Sequence, residues 1–328
     1  MTCPVPIIHL NAFFEGSDAD RLRVAAEVRK ALEDVGFLMI SGHGVDAELI
    51  KRVERAGLAF FDRPEEQKQK YASGSKKANR GFGGLGTRTI GITENPDLLP
   101  SLQEAYGIGK LEVPDDPYFH TDFAKSIFTK NIWPDEPADF KPALSAYYEQ
   151  MDRLFKKMMR VFAVALELPE SYFDPFLDKH GSTLRLIHYP ALESEPRPGE
   201  LRSGAHTDTG TMTILHIDDT PSALQVLTRS GEWLDLNKVE GAFIINIGDL
   251  MMQWTNDKWM SNTHRVANPP IVNGRSDRRL SIVYFCQMNY DTLVECLPNC
   301  CGPDNPPKYE PIRSGEYSAM RAAQRYRL

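Results

Sequence analysis

From Thr183 onward the chain breaks into short apolar runs parted by glycine-bearing turns, and no other feature limits the fold so tightly. The runs are Leu184–Tyr189, Thr211–Ile217, Leu224–Leu227, Ala242–Ile247 and Leu280–Gln287. The turns carry Gly204, Gly210, Gly231-Glu232, Gly241 and Asn273-Gly274. Many short strands with tight turns predict a sandwich or barrel.

The chain ahead of Thr183 has a different rhythm. Ile7-Ile8-His9-Leu10 is a short apolar run, and Ser17 stands where a helix N-cap belongs, before the acidic first turn of Asp18 and Asp20. Leu22, Ala25, Ala26, Val28 and Leu32 recur at helical spacing, with Gly36 as the stop. Phe37–Ile40 reads as a strand closed by Ser41-Gly42-His43-Gly44, and Ala47–Phe61 as a second amphipathic helix. The clearest helix is Pro142–Leu166, whose stripe of Leu144, Tyr147, Met151, Leu154, Met158, Phe162 and Ala165 uses methionine as core filler. Tyr71–Arg88 holds five glycines but lacks the Lys-Ser/Thr ending of a phosphate loop, so it reads as a mobile loop. Pro114–Pro142 reads as irregular connection. The expectation is an α+β chain forming one compact unit: a helical and mixed N-terminal region, residues 1–175, packed on a β-domain, residues 176–328.

Composition narrows the class of partner. A 41% hydrophobic share supplies a core, and a net charge of −7 with no Lys/Arg cluster argues against nucleic-acid or anionic-membrane partners. No apolar run approaches the ~18 residues of a membrane span. Met1-Thr2-Cys3-Pro4-Val5-Pro6 has no basic segment leading into an apolar one, so no secretory signal is expected. Cys3, Cys286, Cys296, Cys300 and Cys301 are odd in number, which predicts reduced thiols in a cytoplasm, and no matching Cys/His set completes a zinc site.

The chemistry sits in the β-half. His206-Thr207-Asp208 closes a strand candidate; residues two apart on a strand share a face, so His206 and Asp208 converge. His264 follows in Ser261-Asn262-Thr263-His264-Arg265-Val266. Two imidazoles and one carboxylate form the facial triad of non-haem Fe(II) oxygenases, which leaves coordination positions open for a chelating co-substrate and dioxygen. Arg279 and Ser281 begin another strand on one face and make a carboxylate clamp, a guanidinium fork beside a hydroxyl. A dicarboxylate such as 2-oxoglutarate has the shape to chelate iron at one end and reach this clamp with the other. A zinc hydrolase also uses three ligands and an open site, but it leaves the clamp unexplained.

The whole pattern resembles the isopenicillin N synthase-like family of Fe(II)/2-oxoglutarate-dependent oxygenases. The resemblance runs through Val35-Gly36-Phe37, Gly42-His43-Gly44 and Phe60-Phe61, then Gly204-Ala205-His206-Thr207-Asp208 and Thr213-Ile214-Leu215. It continues through Leu224-Gln225-Val226, Asn246-Ile247-Gly248-Asp249, Gln253-Trp254-Thr255-Asn256, His264-Arg265-Val266 and Arg279–Phe285. It implies a double-stranded β-helix (jelly-roll) core with the metal in one mouth. It implies His206, Asp208 and His264 as iron ligands, and Arg279, Ser281 and Tyr189 as the group holding the distal carboxylate of 2-oxoglutarate. Many members carry Asn two residues before that tyrosine, where this chain has Ile187. The family also holds oxidases that keep the Arg-x-Ser pair without consuming 2-oxoglutarate, isopenicillin N synthase among them, in which the pair holds a substrate carboxylate. A catalytically silent jelly roll would show a broken triad, and this one is intact.

The activity implied is oxidation of a small organic substrate, such as an amino acid, peptide or secondary metabolite, by hydroxylation, desaturation or cyclisation, with release of succinate and CO2. By strand alternation Phe285, Gln287 and Asn289 share the face of Arg279 and Ser281, making Phe285 and Gln287 pocket candidates. Gly81–Gly86 and Tyr106 are expected to line the mouth, and the basic, helical Met320–Leu328 to cap the barrel.

Overall fold

The computed structural model describes residues 5–73, 79–91, 99–220 and 223–326, the side chains of residues 325 and 326 excepted. Before the β-domain the elements are β1 (Ile7–His9), α1 (Asn11–Glu15), α2 (Asp18–Asp34), β2 (Phe37–Ser41), α3 (Ala47–Phe61) and α4 (Glu65–Gln69), followed by β3 (Gly81–Gly83), β4 (Glu104–Ile108), α5 (Asp122–Ile127) and α6 (Phe140–Ala165). The β-domain then runs β5 (Thr183–Tyr189), β6 (Ser203–His206), β7 (Met212–Ile217), β8 (Leu224–Leu227), β9 (Trp233–Leu236), β10 (Phe243–Ile247), α7 (Asp249–Trp254), β11 (His264–Val266) and β12 (Arg279–Cys286), with α8 (Ser314–Tyr326) last among the helices.

Local chemistry explains the helix starts. The Ser17 hydroxyl accepts the Asp20 amide at 3.3 Å while the Asp20 carboxylate accepts the Ser17 amide at 3.1 Å, so α2 opens on a complete capping box. Asp46 caps α3 by accepting the Glu48 amide at 2.9 Å. The apolar stripe of α6 is buried, and α2 and α3 pack against this helix. Together they form a layer over one large sheet.

That sheet has the strand order β1-β2-β10-β7-β12-β5-β4-β3, and a smaller one runs β6-β11-β8-β9. The two sheets make the double-stranded β-helix. Strands β5 and β12 are buried on both faces, and alternation assigns each face its own work. Leu184, Leu186, Leu280, Ile282 and Tyr284 meet the helix layer. The alternate residues Arg185, Ile187, Tyr189, Arg279, Ser281, Val283 and Phe285 face the space between the sheets. Phe37, Met39, Ile217, Leu224, Val226 and Ile244 seal that space at one side. The N-terminal strands therefore extend the β-domain's own sheet.

The structure departs from several of these expectations. Gly81–Gly83 is an edge strand paired with β4, where a mobile loop is expected from sequence; Gly81 supplies a φ of 71° that an L side chain rarely takes. Residues 74–78 of that stretch, and Cys3, lie outside the described residues. Within Pro114–Pro142 the chain forms a 3₁₀ turn, Pro117–His120, as well as α5. Strands β4, β9 and β11 are not among the expected runs, each only three to five residues long and polar or mixed, which gives little periodicity to read, while β6, expected to close on His206-Thr207-Asp208, stops at His206. The four described cysteines are free thiols. No described helix is long and apolar enough to cross a membrane.

Candidate metal centre

His206 ends β6 and His264 begins β11, and the two are direct partners across that antiparallel pair. Their rings lie 4.4 Å apart between centroids. Each ring turns Nδ1 to a main-chain carbonyl two residues back: His206 to Gly204 at 2.8 Å, His264 to Asn262 at 3.2 Å. A carbonyl only accepts, so Nδ1 carries the proton and Nε2 presents its lone pair. Each Nε2 stands 3.9 Å from an Asp208 carboxylate oxygen. One ligand atom from each of the three residues falls within 4.8 Å of the others, the only such His/Cys/Asp/Glu group among the described residues. Phe37 of β2 meets the His264 ring edge-on at 5.8 Å, so the N-terminal region supports this ligand.

Asp208 reaches the site differently from the strand-alternation argument. Strand β6 stops at His206, and Asp208 lies in the turn beyond it. Hydrogen bonds fix it there. Its Oδ2 accepts from Thr213 Oγ1 at 2.5 Å and from Asn246 Nδ2 at 2.9 Å, and its carbonyl accepts the Asp249 amide at 2.7 Å. Burial pushes the Asp208 carboxyl up, but the two imidazoles and these hydrogen bonds outweigh it and hold it below the usual carboxylate range. The donor set is thus two imidazole Nε2 atoms and a fixed carboxylate, which suits a divalent transition metal.

A cavity opens beside the triad, with about 90 Å³ of room for water centres. Arg279 and Ser281 line it with Tyr189, which is Arg279's partner across β5 and β12. Arg279 is 1% exposed. Its Nη1 donates to the Thr220 carbonyl at 3.3 Å and lies 3.8 Å from an Asp218 oxygen, while its Nε has no partner. Burial pulls its pKa down, and Asp218 and Tyr189 only partly oppose that. A buried guanidinium left this underpaired fits an anion arriving from the cavity.

Phe285 lines the cavity. Gln287 does not: it lies one residue past β12 with its amide against Gly210. Asn289 is spent on structure, holding Asp178 and the Lys179 amide. Tyr106 faces the wrong way. It shares its strand face with Glu104 and Ile108, is fully buried among Phe60 and Phe140, and donates to the Ile132 carbonyl, while its neighbour Ala105 turns toward the cavity side. None of Gly81–Gly86 reaches the cavity, although Ile90 does.

Four contributors escape sequence reasoning. Thr213 and Asn246 lie in matched segments, but sequence assigns them no role. Arg185 shares the face of Ile187 and Tyr189, so the period-2 rule applied backward from Tyr189 finds it. Gln103 lies one residue before β4 and carries no periodic signal.

Residues 5–136 match the family model for the N-terminal region of the non-haem dioxygenase in morphine synthesis, and residues 181–288 match the 2OG-Fe(II) oxygenase superfamily. The chain is 36% identical to the 2-oxoglutarate-Fe(II) type oxidoreductase hxnY of Emericella nidulans, over 94% of this chain and 86% of the relative. It is 32% identical to validamycin A dioxygenase of Streptomyces hygroscopicus subsp. limoneus, over 91% of this chain and 80% of the relative. A full-length Neurospora crassa protein, crystallised with alpha-KG and thymine, superposes with a TM-score of 0.85 at 31% identity, covering 97% of this chain and 96% of that one.

Proposed function

Because the chain belongs to the 2OG-Fe(II) oxygenase superfamily, we propose that His206, Asp208 and His264 hold its Fe(II) and that Arg279, Ser281 and Tyr189 receive the far carboxylate of 2-oxoglutarate. The enzyme is an Fe(II)- and 2-oxoglutarate-dependent dioxygenase acting on a small organic substrate, with O2 consumed and succinate and CO2 released. When bound, iron supplies the dioxygen activation that couples decarboxylation of 2-oxoglutarate to oxidation of the substrate.

The chain's own residues set the geometry. Thr213 and Asn246 keep Asp208 anionic and aimed, and the back-bonded Nδ1 protons fix both imidazoles in the tautomer that offers Nε2. The Arg279 fork, with Ser281 beside it, gives the co-substrate one orientation along β12. Leu215, Leu224, Val266 and Val283 make the walls apolar and limit water near the reacting centre. The observation that carries this reading is the buried, underpaired Arg279 in the same cavity as the triad.

The substrate enters on the side where Arg185 of β5 and Gln103, just before β4, stand beside Phe285. Those groups fit a compact molecule with a hydrogen-bond-accepting or anionic group and an apolar portion. The relatives support a small-molecule substrate, validamycin A in the name of one and thymine bound to another. The free thiols support a cytoplasmic setting.

The test is anaerobic. Fe(II) and then 2-oxoglutarate are added to metal-free protein, the weak visible charge-transfer band of the chelate is recorded, and succinate is assayed after O2 is admitted. A band followed by slow succinate formation is expected. Fe(II) binding without a band in either order of addition would make Arg279 and Ser281 the substrate's anchor.

A further inference from the structure

Asp249 is a buried carboxylate with no part in the chemistry above, and three separate segments of chain meet on it. Its Oδ1 accepts from Ser261 Oγ at 2.8 Å. Its Oδ2 accepts from Tyr317 Oη at 3.0 Å and lies 3.5 Å from Arg321 Nε. Its amide donates to the carbonyl of Asp208. Arg321 also donates from Nη2 to Thr207 Oγ1 at 3.3 Å, and Thr207 is the residue between His206 and Asp208. Ser261 lies three residues before His264. Tyr317 and Arg321 both belong to α8, whose first residue, Ser314, is buried and bonds the Asn289 carbonyl at 2.7 Å.

We propose that α8 is a brace for the metal centre, with Tyr317 and Arg321 acting as positioning residues through Asp249. The Asp249 carboxylate ties the segment leading to His264 to this helix, while its amide and the Arg321–Thr207 contact tie the His206–Asp208 turn to the same place. Burying a charged group is costly unless it is fully partnered, and an apolar residue would fill the volume more cheaply. What the carboxylate adds is a fixed distance between two ligand-bearing segments that are far apart in sequence. Partners that orient metal ligands from behind typically set metal affinity by 10–100-fold. The proposal rests on the ligand assignment made above.

The experiment measures Mn(II) affinity by the loss of the free-ion EPR signal, anaerobically and without turnover, in the full chain. Tyr317→Phe, Arg321→Met and the double variant are compared with wild type. Asp208→Ala reports on the ligand assignment, and Met320→Ala changes an exposed position of the same helix. The double variant is expected to weaken Mn(II) binding about 10–100-fold. Its metal-free form should melt several degrees lower because Asp249 loses two partners, so Mn(II) affinity is read at a temperature where every variant is fully folded. The single variants should fall between the double variant and wild type, and Met320→Ala should bind normally. If the double variant does not fold, the singles are judged by the same ordering. Asp208-dependent binding in wild type, with brace variants within twofold of it, overturns the brace and leaves the ligand assignment standing. Equal weakening by Met320→Ala also overturns it. Wild-type binding indifferent to Asp208→Ala overturns the ligand assignment and the brace with it.

Discussion

Asp208 and Arg279 show how differently two charged residues can be buried. Asp208 is fully committed, with Thr213 and Asn246 on its carboxylate and two imidazoles facing it. Arg279 is also buried yet keeps an unpartnered Nε, which fits the carboxylate-binding role proposed for it. Arg279→Ala is therefore expected to raise the 2-oxoglutarate KM about 10–100-fold, the worth of one to two charge-assisted hydrogen bonds, with a smaller effect on kcat. Initial rates at varied 2-oxoglutarate measure this, and Arg279→Lys should fall between because it keeps charge but loses the fork. At this scale residue type and spacing single out His206, His264 and the Arg279–Ser281 pair, which the fold brings to one cavity, whereas Asp208 joins them from a turn and not by strand alternation. Sequence reads poorly where a residue matters only through its partner. Thr213 and Asn246 look like ordinary strand residues until the fold sets them against Asp208.

Elements carry the next layer of constraint. The bounds of α3 are legible because Asp46 and the 3.6-residue stripe agree. The orientation of Tyr106 is not, because β4 shows no strand signal; without a strand there is no parity, and parity decides whether an aromatic residue meets the helices or the cavity. The junction of β10 and α7 offers a sharper test. A Cβ on Gly248 would stand 2.2 Å from the Gly210 carbonyl oxygen, and main chain there cannot give way as a side-chain tip can. Gly248→Ala should destabilise the protein by about 1–3 kcal/mol through overpacking. Chemical denaturation would show it as a lowered midpoint at unchanged slope. A wild-type midpoint would mean that the 208–211 turn is free to shift.

Across the whole molecule, acid sensitivity is built in far from the metal. His180 is buried, and its Nδ1 accepts the Ser182 amide at 3.2 Å while Nε2 pairs with Asp152. Burial lowers the His180 pKa below 6.5, and the amide bond requires the neutral ring. Asp152 is pushed up by burial but pulled down further by His180 and Lys156, to about 2. Below pH 6.5 the unfolded chain takes up the His180 proton before the folded one does, so this stability is present above pH 6.5 and lost as pH falls. The Asp152 contribution is lost only below about pH 4, on approach to its folded value. Melting points at about pH 7.5 and about pH 5.5 therefore isolate His180: wild type should lose more on acidification than His180→Gln, and equal losses would refute this. The layered plan is legible in the rhythm of short runs after Thr183. The seating of β1 and β2 beside β10 is not, because a pairing so distant in sequence leaves no local periodicity. That pairing has a consequence for biosynthesis. Strand β2 leaves the ribosome early, but its antiparallel neighbour β10 emerges only some two hundred residues later, so the nascent N-terminal segment must wait with an open sheet edge. Closing so long a loop makes this step slow, and the early chain is the part most dependent on chaperones while it waits.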